Sequence, residues 1–91
     1  MDSTLTPEQA QQVIAEARGR IDAIDARIIA LVRERTGVSA EVQAARIAVG
    51  GPRLALSREL EVLSRYRAAL GPHGTDVAML LLELCRGRRD A

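Results

Sequence analysis

The sequence has no lysine, no phenylalanine and no tryptophan, and only one tyrosine, one cysteine and one histidine among its 91 residues. Each shortage closes a route. Cys85 has no partner within the chain, so disulfides do not stabilise the fold, and a single thiol in so small a protein reads as a reducing, cytoplasmic setting. Cys85 and His73 together cannot fill a structural metal site. Any core has to be made of Ile, Leu, Val and Ala, with Tyr66 the sole aromatic. Long apolar runs are missing too: "VAMLLLELC" falls far short of the ~20 residues a membrane span requires and contains Glu83. The opening "MDSTLTPEQAQQ" lacks the basic start and apolar stretch of a signal peptide. These absences lead us to expect a soluble, cytoplasmic protein.

An excess of one charge is lacking as well. The formal net charge is +1, from 13 basic and 12 acidic residues, which disfavours a general nucleic-acid binder. All 13 basic residues are arginine. A GC-rich genome produces that bias without any function behind it, but arginine also offers carboxylates a rigid two-pronged fork that lysine does not.

What the sequence does have is helical periodicity. Thr6-Pro7-Glu8-Gln9 reads as a helix start, with threonine as N-cap, proline at the first helical position and glutamine three residues after the cap. Residues 1–6 are expected to be disordered. From position 7 nothing stops the helix before Gly50-Gly51-Pro52, apart from single glycines at 19 and 37 that cost roughly 1 kcal/mol each. The prediction is one long helix over about residues 7–49, about 60 Å long at 1.5 Å per residue. Its apolar positions, Ile14, Ala17, Ile21, Ile24, Ile28, Leu31, Val38, Val42 and Ala45, are spaced alternately three and four apart, as in the seam of a packed helix. After a loop over 50–56, a second helix is expected over about 57–70, capped by Ser57, with Leu60, Leu63 and Leu70 inward and "GPHG" closing it. A third is expected over about 75–88 from a Thr75 cap. The fold class is all-α, a single domain over 1–91 with one long N-terminal helix and two shorter ones. Two short helices cover only part of the long stripe, and the remaining apolar surface implies a partner, most simply a second copy.

Arg35 falls on that stripe, where an ionised group is costly unless paired. Its stem packs while its head reaches the surface, or it bonds a neighbouring carboxylate, or it works with Arg46. Arg46 is 11 residues further on, almost on the same face and about 16 Å along the axis, so the two side chains can reach toward one small dianion. Arg18 lies about 25 Å from Arg35 along the helix. It can share such a site only from an antiparallel partner chain; alone it reads as a surface residue. Glu59, near the start of the second helix, is favoured there by the helix dipole with no further purpose. On spacing alone the cationic pocket and the solvated surface both stand.

The ordered text "ARGRIDAIDARIIALVRERTGVSAEVQAAR", then "GGPRLALSRE", then "LGPHG" and a leucine-rich last helix resembles the all-helical AroQ-type chorismate mutases over about residues 14–89. It is most similar to the short subclass that associates with, and is activated by, a DAHP synthase. The resemblance implies an intertwined homodimer with two sites, each built mainly by one subunit. It implies that Arg35 and the partner subunit's Arg18 bind the two carboxylates of chorismate, and that Arg46 stands beside the ether oxygen whose bond breaks. Glu59 would receive the ring hydroxyl and Arg58 would support the wall. The implied reaction is the Claisen rearrangement of chorismate to prephenate in phenylalanine and tyrosine biosynthesis. That reaction calls for no nucleophile, metal or cofactor, since orientation and cations at the developing negative charge suffice.

Two departures from larger relatives stand out. They carry an aspartate at the position of Ala55, beside the ring hydroxyl, and a glutamine late in the third helix, where this sequence has Arg89 and its end. A modest mutase when alone is the expectation, with Arg86, Gly87, Arg88 and Arg89 as the segment a synthase partner would order. Other readings are mutase action on 4-amino-4-deoxychorismate, isochorismate-pyruvate lyase activity, and a non-catalytic helical adaptor. A helix-turn-helix DNA binder with its turn at Gly37-Val38-Ser39 is a further alternative, disfavoured by the unbroken seam and the near-neutral charge.

Overall fold

In a computed structural model, residues 4–51 and 55–86 are described. They form α1 (Pro7–Ala48), α2 (Leu56–Leu70) and α3 (Pro72–Cys85), and every regular element among them is helical. The chain divides into two units, Met1–Leu31 and Val32–Ala91.

The first unit holds the start of α1. The Gln9 backbone N–H donates to Thr6 Oγ1 at 3.1 Å and the Thr6 N–H donates to Gln9 Oε1 at 3.0 Å. This reciprocal pair satisfies two donors that a helix end otherwise leaves bare. Thr6 is thus the first turn's anchor, and residues 1–3 of the segment expected to be disordered lie outside the described residues. Beyond it the expected seam is present but uncovered. Ile14, Ile21, Ile24 and Ile28 remain 48–53% exposed, and α1 as a whole contains no buried residue.

In the second unit α1 continues through Gly37-Val38-Ser39 without interruption, which removes the turn that a helix-turn-helix needs. The Thr36 hydroxyl donates to the Val32 carbonyl within this stretch, at 2.9 Å. The helix then stops abruptly. Gly50 adopts φ 71°, its N–H donates to the Ile47 carbonyl at 3.0 Å, and the Gly51 N–H donates to the Arg46 carbonyl at 2.7 Å. This is a Schellman closure, in which a left-handed glycine lets two carbonyls at the helix end be satisfied. Arg46 is thereby held in the last turn, where a cation complements the negative end of the helix dipole.

α2 and α3 form a hairpin with a single residue between them. Gly71 caps both helices at φ 81°, and its N–H donates to the Arg67 carbonyl at 2.8 Å. Pro72 follows at the first helical position, the place where its missing N–H costs nothing. The expected Thr75 cap is therefore wrong: Thr75 lies inside α3, because the glycine-proline corner starts that helix earlier. Ser57 is likewise not a cap, since α2 begins at Leu56 behind Ala55, which makes no capping side-chain bond.

The close approach of the two helices rests on Gly74, whose N–H donates to the Gly71 carbonyl at 2.8 Å. A Cβ there would run into the Tyr66 carbonyl oxygen and lie 2.7 Å from the Tyr66 carbonyl carbon. Among the described residues the buried hydrophobics are Val62, 2% exposed, Ala78 at 0% and Cys85 at 8%. Leu60 and Leu70, expected inward, are 57% and 58% exposed. Spacing located an apolar stripe on α2, but within this chain α3 meets the helix on the neighbouring Val62 face.

Candidate active site

Three helix faces converge in the second unit on a cavity of about 250 Å³. α1 contributes Arg35, Val38, Ser39, Val42, Gln43 and Arg46, a run of alternating three- and one-residue steps that keeps one side of a helix facing the same way. Ala55 and the first turns of α2 add Arg58, Glu59 and Val62, and the end of α3 adds Leu82, Cys85 and Arg86. The valines and Leu82 add apolar surface to a lining that is otherwise rich in charge. Four arginines face one glutamate, in a protein whose net charge is only +1. Positive charge is concentrated here, and a small anion is what it suits. The volume is slightly under the roughly 300–1,000 Å³ usual for drug-sized ligands, which favours a compact molecule.

Arg35 is half-buried, and its Nη1 donates to Cys85 Sγ at 2.9 Å. Among the described residues it makes no ion pair with a carboxylate within 4 Å. Sulfur is a weak acceptor, and guanidinium has five donors in a fixed fork, so this contact orients Arg35 and leaves most of its capacity for an anion. Cys85 is itself a buried free thiol. Its Sγ lies 3.9 Å from Thr36 Oγ1, and its backbone carbonyl accepts from Ser39 Oγ at 3.4 Å. The sequence reading saw no role for this cysteine, and no local pattern marks one: its place in the wall depends on where α3 ends against α1.

Glu59 sits in the first turn of α2, its side chain 17% exposed, and Oε1 accepts from Arg86 Nη2 at 2.7 Å. Arg86 caps α3, donating its backbone N–H to the Leu82 carbonyl at 3.0 Å. In this antiparallel hairpin the positive end of the α2 dipole meets the negative end of the α3 dipole. Each charge of the pair therefore sits where its own helix end favours it. Arg58 lines the cavity with a mostly exposed side chain and pairs with Glu61 at 3.3 Å, one turn further on. Gln43, with Oε1 shielded from solvent, is a polar group in the wall that the sequence reading also missed.

Of the residues expected at a site, the cavity thus gathers Arg35, Arg46, Ala55, Arg58, Glu59 and Arg86. Arg18 is exposed in the first unit, and the lining comes from the second unit alone. Gly87, Arg88 and Arg89, like Arg53, fall outside the described residues.

Fold and cavity together define an all-helical protein with an arginine-lined pocket. Residues 17–82 match the family model for chorismate mutase type II, and the chain belongs to that family. It is 55% identical over 75 residues to the intracellular chorismate mutase of Mycolicibacterium smegmatis, covering 82% of this chain and 72% of the relative. To the intracellular chorismate mutase of Mycobacterium tuberculosis it is 47% identical over 88 residues, covering 97% of this chain and 83% of the relative. Among solved structures it resembles a chain of the non-covalent complex of DAHP synthase and chorismate mutase from Corynebacterium glutamicum with bound transition state analog. The TM-score is 0.84 at 30% identity, covering 89% of this chain and 98% of that one.

Proposed function

We propose that this protein converts chorismate to prephenate, and that the cavity over Arg35, Arg46, Arg58 and Glu59 is where it does so. The observation that carries this reading is a cavity lined by four arginines, one half-buried glutamate and apolar side chains, in a chain of the chorismate mutase type II family. The reaction is an intramolecular rearrangement. The ether C–O bond breaks as a C–C bond forms between the enolpyruvyl arm and the ring, and no proton or electron is exchanged with the protein. The protein's task is to hold the arm over the ring and to place positive charge where the ether oxygen becomes negative.

In that scheme Arg35 binds one carboxylate, its guanidinium angled by Cys85. Arg46, fixed by the Schellman closure one turn before the loop, faces the ether oxygen. Glu59 accepts the ring hydroxyl, with Arg58 as wall and Ala55 as an apolar contact in place of a polar one. The second carboxylate falls to Arg18 of the partner subunit in a homodimer, a role that explains why the apolar stripe of the first unit is uncovered within one chain. Among the described residues no helix is long and apolar enough to cross a membrane, and a cytoplasmic enzyme is the reading we adopt. The Corynebacterium neighbour is a complex of chorismate mutase with a DAHP synthase, which supports the same association for this chain, and Arg86, Gly87, Arg88 and Arg89 are the segment we assign to it.

Chorismate consumption by wild type and Arg46→Ala, each with and without a cognate DAHP synthase, tests the scheme. The variant is expected to remain folded and to lose two or more orders of magnitude in kcat, as on removal of a principal electrostatic stabiliser. Wild-type protein inert toward chorismate under both conditions would sink the proposal. Addition of the synthase is expected to raise wild-type turnover.

A further inference from the structure

Glu59 enters the site already neutralised, and from this we infer that Arg86 sets which group the site accepts at the ring: it selects a neutral hydroxyl over an ammonium. The inference rests on the mutase reading above and concerns the substrate class of that same site. The Arg86 Nη2–Glu59 Oε1 contact is 2.7 Å long, joins residues on different helices, and leaves the two side chains 40% and 17% exposed. It is a charge-assisted hydrogen bond at the short end of its range, shielded on the glutamate side. Both partners are held by their helices, Arg86 through its N–H to the Leu82 carbonyl and Glu59 through its N–H to the Ala55 carbonyl at 3.0 Å.

A lone carboxylate at this place favours an incoming cation over an alcohol, because it gains a full charge pair. Chorismate carries a hydroxyl at C4, whereas 4-amino-4-deoxychorismate carries an amine that is protonated at neutral pH. With Arg86 bonded to Oε1 the pair is neutral overall. It still has carboxylate lone pairs to accept from a hydroxyl, but an ammonium beside it meets a guanidinium one hydrogen bond away. Discrimination then comes from a repulsive element as much as from an attractive one. Arg86 acts through Glu59 and is a positioning residue.

The test compares kcat/KM for chorismate and for 4-amino-4-deoxychorismate in the full-length protein and in Arg86→Gln, Arg86→Lys, Glu59→Gln and the double variant Glu59→Gln/Arg86→Gln. Arg86→Gln is expected to lower the chorismate-to-amine preference by about tenfold or more, and Arg86→Lys, which keeps the charge, to hold most of it. In the Glu59→Gln background the Arg86→Gln change is expected to move the preference much less, the signature of a role exercised through Glu59. A purely structural clamp predicts instead that Arg86→Gln slows both substrates equally. A preference within twofold of wild type in that variant, with circular dichroism unchanged, overturns the assignment while leaving the mutase reading intact. Wild-type protein that rearranges neither compound overturns the reading and this assignment with it.

Discussion

The two units of this chain differ in what they bury. In Met1–Leu31 the isoleucines of α1 form a regular stripe, yet each stays about half exposed, and a reciprocal pair of hydrogen bonds holds its cap. In Val32–Ala91 many apolar side chains are exposed too, Leu60 and Leu70 among them, but Val62, Ala78 and Cys85 are buried and charges are directed at one another or into a cavity. A stripe with no polar punctuation is a surface prepared for another surface. The interruption of that stripe by Arg35, with Arg46 close to the same face, marks where the lining of the cavity begins. Under the proposed dimer, one unit supplies the interface and the other supplies most of the site.

That contrast can be broken at either end. The largest effect, beyond the loss of Arg46 itself, is expected from Ile24→Glu, which puts a charge into the stripe of the first unit. It should convert a dimer to monomers in sedimentation experiments and cut turnover by about tenfold or more, since burying an unpaired carboxylate between chains is costly. A catalytically normal monomer would show that the second unit suffices alone. Next comes Gly74→Ala in the second unit, expected to destabilise by about 1–3 kcal/mol in denaturant melts because the new methyl group meets the Tyr66 backbone. The smallest effect sharpens the comparison. Thr6→Ala removes one half of the capping pair and should cost about 1 kcal/mol, visible as a lower melting temperature with turnover unchanged.

Local grammar was legible in the sequence and tertiary choice was not. The cap at Thr6-Pro7-Gln9 and the stop at Gly50-Gly51 need only residues within one turn of each other, so their chemistry can be read directly. The gathering of Arg35, Arg46, Arg58 and Glu59 was legible through family resemblance and through the phase of α1, which brings positions 35 and 46 to one face. The Thr75 and Ser57 caps were misread for a shared reason. Each is a good capping residue, but the boundary was decided by backbone chemistry elsewhere, at Gly71-Pro72 for one helix and behind Ala55 for the other. Leu60 and Leu70 show that periodicity finds an apolar face without saying which neighbour covers it. Cys85 against Arg35 and Arg86 against Glu59 span 50 and 27 residues. No spacing rule reaches that far, because both contacts depend on where the last turn of α3 comes to rest.

The corner at Gly71 has a consequence for how this sequence can change. With one residue between α2 and α3, there is no slack to absorb an insertion or a deletion. Each residue added within α3 ahead of Leu82 turns everything after it by about 100° and advances it by about 1.5 Å. One such addition would carry Cys85 and Arg86 off the cavity and separate both from the charges they meet, even though every catalytic candidate on α1 and α2 stayed in place. The count of residues from Gly71 to Arg86 is therefore as much a part of the site as their identities, and lineages that keep this chemistry are expected to vary the letters of α3 while conserving its length.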